Sequence, residues 1–170
     1  MVKLLLAGTG LIGHRHMQHI LEHPDLELVG VIDPLITDEK IEGVKTYHSL
    51  NDVNNVAEGI ILATPTETHA DLTIQSLEMG LHVLVEKPVA ASLPEADKMI
   101  RASEKTGLSI LVGHHRRHHP LVNETINIIK SGKIGRPVAA SLMWLMRKQD
   151  EYFDVESVSY THLRAHETHD

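Results

Sequence analysis

The feature that most constrains this chain is a series of short aliphatic runs that do not alternate with polar residues. They are Val2 to Ala7, Leu26 to Ile32, Gly59 to Ala63, Leu81 to Val85 and Leu108 to Val112. A strand with one wetted face alternates apolar with polar. Continuous runs of this length suit strands buried on both faces, as in a parallel sheet. Between them lie helical patterns. Ile12, Met17, Ile20 and Leu21 make one apolar stripe, and Ala70, Ile74 and Leu77 another, followed by Gly80. Ser92 and Glu95 have capping-box spacing, ahead of inward positions Ala96, Met99, Ile100 and Ser103. Pro120 opens a further helix with Leu121, Ile126 and Ile129, closed by Gly132. Strand and helix alternate throughout, which predicts a doubly wound α/β domain. Tyr47 is the only aromatic residue before Trp144, so the core must be aliphatic.

Charge and composition remove several functions. Lys plus Arg number 16 against 23 Asp plus Glu, for a net charge of −7. That disfavours a broad basic face for nucleic acid or for an anionic membrane. The absence of cysteine excludes disulfides, Cys-ligated zinc and iron–sulfur clusters. No apolar stretch approaches the roughly 20 residues of a membrane span. The first apolar run is too short for a secretory signal, so a cytoplasmic location is expected.

Gly8-Thr9-Gly10-Leu11-Ile12-Gly13 lies between the first strand and the first helix, where a dinucleotide fingerprint needs its glycines. Gly8 permits the tight turn, Gly10 lets backbone approach a pyrophosphate, and Gly13 lets helix pack on strand. The helix N-terminus then offers free N–H groups to the phosphates. Asp33 ends the second run, 20 residues after Gly13. A carboxylate there accepts from ribose hydroxyls and repels a 2′-phosphate, and residues 34–37 hold no Arg or Lys. NAD is therefore expected rather than NADP. Glu86-Lys87-Pro88 follows the fourth run, at the strand end where open α/β sheets bind ligands. Lys87 is a candidate to polarise a substrate oxygen, or else an exposed loop lysine. His114, His115, His118 and His119 have spacings that could suggest a metal, but Arg116 and Arg117 beside them would repel a cation, so none is expected.

Taken in order and spacing, GTGLIGHRH at 8–16, ATPTETHADL at 63–72, VLVEKPVA at 83–90 and VGHHRRHHP at 112–120 resemble the N-terminal half of the Gfo/Idh/MocA family of NAD(P)-dependent oxidoreductases. The resemblance covers residues 1 to about 156. It implies a Rossmann domain followed by a second α/β domain, hydride transfer at a sugar, inositol or related polyol carbon, and a homo-oligomer. Gly8, Gly10, Leu11, Ile12 and Gly13 match the family's phosphate loop, and Asp33 its ribose-binding position. Thr64 and Pro65 match the loop over the cofactor, with His69 just after it. Glu86, Lys87 and Pro88 match the family's EKP motif, whose lysine contacts the reactive hydroxyl and the nicotinamide ribose. Arg117 matches an arginine that usually precedes an aromatic residue. Here His118 and His119 stand instead.

The expected organisation is a dinucleotide-binding domain at 1–118, a connecting helix at 119–136, and the first strand of a truncated second domain at 137–156. The family's acid/base histidine lies in that second domain, beyond this sequence, so the fragment is expected to be inactive. Val158 to Thr168 coincides with one translated frame of a common transposase-based sequencing adapter. Residues 157–170 are therefore expected to be a non-native tail, and His162, His166 and His169 are not acid/base candidates. Two rivals stand beside the oxidoreductase reading. A non-catalytic redox sensor would need no polarising Lys87. An S-adenosylmethionine methyltransferase is disfavoured by Gly13 and Asp33.

Overall fold

The computed structural model describes residues 1–54, 57–141, 143, 145 and 147. The chain divides into a compact unit, Met1–His114, and a second that begins at His115. The first unit closes where β7 ends and a 3-10 turn begins, four residues before the expected boundary at 118.

In the first unit the order is β1 (Val2–Ala7), α1 (Leu11–Glu22), β2 (Leu26–Ile32), β3 (Lys40–Ile41), β4 (Val44–Tyr47), β5 (Gly59–Leu62), α2 (His69–Glu78), β6 (His82–Val85), α3 (Leu93–Thr106) and β7 (Ile110–Val112). The strands form one sheet in the order β3-β4-β2-β1-β5-β6-β7. Every pairing is parallel except β3 with β4. With the hairpin arm β3 set aside, the parallel strands run 3-2-1-4-5-6, the order expected of a doubly wound dinucleotide-binding sheet.

The outer strand of that order is β4, which none of the five aliphatic runs contains. Val44–Tyr47 forms it by folding back on β3 through Glu42-Gly43, both at positive φ (49° and 79°). That is the two-residue hairpin geometry that favours glycine at its second position. Tyr47 then covers Gly30 of β2, where an added Cβ would lie 2.8 Å from Tyr47 Cε2.

Successive strand residues point to opposite faces, so the core has two halves. Leu5, Ala7, Ile60, Leu62, Val83 and Val85 face Leu77 of α2 and Met99 of α3. Leu6, Leu28, Val31 and Ile61 face Met17 and Ile20 of α1. Each large side chain so buried contributes about 1.5–3 kcal/mol. The helix stripes are narrower than expected. Leu21 is 48% exposed and Ile100 54%, while Gly13, His69, Thr73 and Ser76 are buried. Met17 and Ile20 take the buried positions of α1 and Met99 that of α3, which leaves the flanking large residues outside. Ser92 Oγ caps α3 by accepting from Glu95 N–H (3.4 Å), and Glu95 Oε2 returns to Ala91 N–H (3.0 Å).

The second unit opens with the 3-10 turn His115–His118 and continues into α4 (Pro120–Lys130), capped by His119 Nδ1 accepting from Leu121 N–H (3.2 Å). The expected strand from Val138 to Met146 is not formed at 138–141, 143 or 145, which have no regular structure. Val138 is 88% exposed, so nothing covers it as a sheet partner would. Its other positions, and the suspected tail at 157–170, lie outside the described residues.

Candidate functional site

A parallel sheet brings all its carboxyl ends to one rim, and the bonds at that rim fix its loops. Gly8 N–H donates to Ile32 O (2.8 Å), Ala63 N–H to Ala7 O (2.8 Å), Glu86 N–H to Leu62 O (2.9 Å) and Gly113 N–H to Val85 O (2.8 Å). The rim thus gathers the glycine loop after β1, Asp33 after β2, Thr64 and Pro65 after β5, and Glu86 and Lys87 after β6. Strand order reverses at β1, the position at which doubly wound sheets bind their ligands.

The three glycines differ in what surrounds them. Gly8 has φ 91°, and a Cβ there would stand 2.4 Å from Ala63 O. A Cβ on Gly13 would meet Gly8 O at 2.0 Å, because α1 is pressed onto the loop that precedes it. Gly10 is the N-cap of α1, and a Cβ on it would meet nothing within 4 Å. No side chain caps this helix and its first turn carries no acid. The first-turn amides and the positive end of the helix dipole therefore adjoin open space, which fits a diphosphate.

Asp33 is held by the same loop. Its Oδ2 accepts from Thr9 N–H (2.9 Å) and Thr9 Oγ1 (2.6 Å), and its Oδ1 from Leu35 N–H (3.0 Å). Burial alone would raise the carboxyl's pKa, but the three donors outweigh it and hold the group below the usual aspartate value.

His69 lies beneath the rim, 1% exposed. Its Nε2 is 2.9 Å from Thr64 O and its Nδ1 2.8 Å from Pro88 O. Both ring nitrogens face protein carbonyls, the tautomer deciding which of the two receives the N–H, so His69 acts on the rim through the two loops it lies between. Thr68 Oγ1 donates to Pro65 O (2.8 Å) and lies 2.7 Å from Thr64 Oγ1, closing the turn into α2.

Glu86 is a junction of a different kind. Its Oε1 is 2.8 Å from His16 Nε2 on α1, and its Oε2 accepts from Lys87 N–H (3.2 Å). A Cβ on Gly113 would lie 2.8 Å from that same Oε1. The carboxylate thus ties α1, β6 and the end of β7 together. Lys87 is exposed at the rim, and its bond to Pro88 is cis. Arg117 belongs to the second unit, in the turn His115–His118.

Sequence reasoning did not find Thr9 or His16. Thr9 occupies a variable position of the fingerprint, and its partner is 24 residues away. His16 meets a carboxylate 70 residues away, which no local pattern reveals. Among the described residues, no group of three or more His, Asp or Glu could hold a metal ion. No helix among them is long and apolar enough to cross a membrane.

Residues 2–114 match the family model described as "Oxidoreductase family, NAD-binding Rossmann fold", Gfo/Idh/MocA. The chain is 31% identical to the scyllo-inositol 2-dehydrogenase (NAD+) of Bacillus subtilis, over 81% of this chain and 42% of that protein. It is 29% identical to the 4-carboxy-2-hydroxymuconate-6-semialdehyde dehydrogenase of a Sphingobium species, over 97% of this chain and 55% of that protein. Among solved structures it resembles the WlbA dehydrogenase of Bordetella pertussis, determined in complex with NADH and UDP-GlcNAcA. There the TM-score is 0.74 and the identity 29%, over 79% of this chain and 41% of that one. The chain spans about half the length of the curated relatives it matches. The glycine loop, the acid after β2 and the matched span together place this chain in the Gfo/Idh/MocA oxidoreductase family.

Proposed function

We propose that this chain is the cofactor-binding part of an NAD-dependent oxidoreductase acting on a sugar, inositol or related polyol. The observation that carries this reading is the open space at Gly10, on the same rim as Asp33 and Lys87. The α1 amides and Gly10 would hold the diphosphate, and Asp33 an adenosine ribose hydroxyl. Thr64, Pro65 and Glu86 complete the proposed cofactor-binding set of the first unit, with His69 supporting it from behind. When bound, the nicotinamide supplies or accepts the hydride. Lys87 would donate to the substrate oxygen and polarise it, while Glu86 and the Pro88 carbonyl fix the loop that carries it.

The fixed charge of Asp33 favours NAD over NADP. Calorimetric titration with NAD+ and NADP+ tests this, and equal or tighter binding of NADP+ overturns it. The whole enzyme is read as a cytoplasmic homo-oligomer. Hydride transfer under this reading needs the substrate carbon held about 3–3.5 Å from its acceptor. An NADH-fluorescence assay over inositols, sugars and sugar acids tests it, and turnover that Lys87→Ala leaves unchanged would overturn the role of Lys87.

A further inference from the structure

The Asp33 carboxylate has more hydrogen bonds than a turn aspartate requires. A carboxylate offers about four acceptor sites, and here Thr9 N–H, Thr9 Oγ1 and Leu35 N–H occupy three of them. The fourth, on Oδ1, is left for a ligand. Two of the three donors come from one residue inside the glycine loop. Thr9 thus joins the loop that approaches the diphosphate to the acid that reads the ribose. A carboxylate bound on one side only could rotate away from an incoming 2′-phosphate and lose little. Held from both sides, it keeps its charge where the phosphate would have to sit.

We infer that Thr9 is a specificity-determining residue: its hydroxyl and amide fix the Asp33 carboxylate in place and so set the preference for an unphosphorylated adenosine ribose. The inference rests on the proposed cofactor site. Valine at position 9 keeps the shape and removes only the hydroxyl. A hydrogen bond to a charged, partly exposed group corresponds to roughly a tenfold effect. Thr9→Val is therefore expected to weaken NAD+ binding and, by letting the carboxylate turn aside, to tighten NADP+ binding, so that the preference for NAD+ falls about tenfold, and Thr9→Ser to restore the wild-type ratio.

The experiment combines calorimetric titration of wild type, Thr9→Val and Thr9→Ser with both dinucleotides and carboxyl-carbon NMR titration of Asp33 in the same proteins without ligand. The NMR midpoint should move upward in Thr9→Val and stay in place in Thr9→Ser, a readout that general loosening of the loop would not restore with serine. An unchanged NAD+ to NADP+ ratio in Thr9→Val refutes the specificity role alone. A wild-type chain that binds neither dinucleotide refutes the proposed function and the specificity role with it, while the NMR titration still decides whether Thr9 holds Asp33.

Discussion

Gly13→Ala should damage the fold, whereas Gly10→Ala should damage only binding. At Gly13 the new methyl would stand 2.0 Å from Gly8 O and 2.9 Å from Gly8 C, both backbone atoms. Relief requires moving the first turn of α1 away from β1, because no flexible side chain can yield. Helix propensity favours alanine over glycine by about 1 kcal/mol. Overpacking typically costs about 1–3 kcal/mol, and a collision with fixed backbone belongs at or above the top of that range. The net loss is then about 2 kcal/mol, or a fall in Tm of roughly 8 °C for a domain of this size. At Gly10 the methyl meets nothing within 4 Å and the backbone has φ −66° and ψ −174°, which any residue adopts. Stability should stay within about 0.5 kcal/mol of wild type. The methyl instead fills the space reserved for the diphosphate, so dinucleotide affinity should fall at least tenfold. Thermal unfolding followed by circular dichroism, with calorimetric titration of NADH, separates the two effects. An unaltered Tm in Gly13→Ala would refute the packing argument. Undiminished NADH binding by Gly10→Ala would refute the assignment of the phosphate site.

The Asp33 carboxyl lies below its ordinary pKa in the folded chain, so its stabilising contribution is complete above about pH 4 and drains away as pH falls through the lower folded value. Urea unfolding of wild type and Asp33→Asn should show a stability gap at pH 7 that narrows at pH 3; a gap that widens on acidification contradicts the geometry. The contact between His16 and Glu86 is partly buried, and a double-mutant cycle with His16→Ala and Glu86→Ala should return a coupling of about 1 kcal/mol, with zero coupling as the refuting outcome. Lys87→Ala should leave Tm within about 1 °C, because the side chain is exposed, while under the proposed function it should lower kcat by about a hundredfold or more.

The parallel sheet was legible because strands buried on both faces leave continuous aliphatic runs, and five of its members did so. The outer strand β4 was not. Val44–Tyr47 lies at the sheet margin, where Lys45 and Thr46 can face solvent or the hairpin, so no continuous run marks it. Its turn, Glu42-Gly43, lacks the Asn or Asp that usually signals a tight hairpin. Of the fingerprint glycines, Gly8 and Gly13 have a backbone reason for being glycine, while Gly10 has one only through the ligand proposed beside it. Which partner a polar side chain takes was not readable: Glu86 could be seen to lie at a strand end, but its contact with His16 depends on how α1 crosses the sheet. The same holds for Ile100 and Leu21, whose spacing suits a buried stripe but which lie beside the covered positions Met99 and Ile20 and stay exposed.

His69 has a consequence for how occupancy of one loop is felt at the other. One buried imidazole lies between Thr64 O and Pro88 O and, when neutral, donates its single N–H to one of them, so the loop expected to cover a cofactor and the loop that carries Lys87 share one packing partner. A molecule that prefers one setting of the first loop imposes a setting on the second. Linkage then requires the reverse: whatever settles against Lys87 changes the affinity at Thr64 by the same factor. A single buried ring thus gives two loops of the rim a shared support, through which occupancy of one can change affinity at the other.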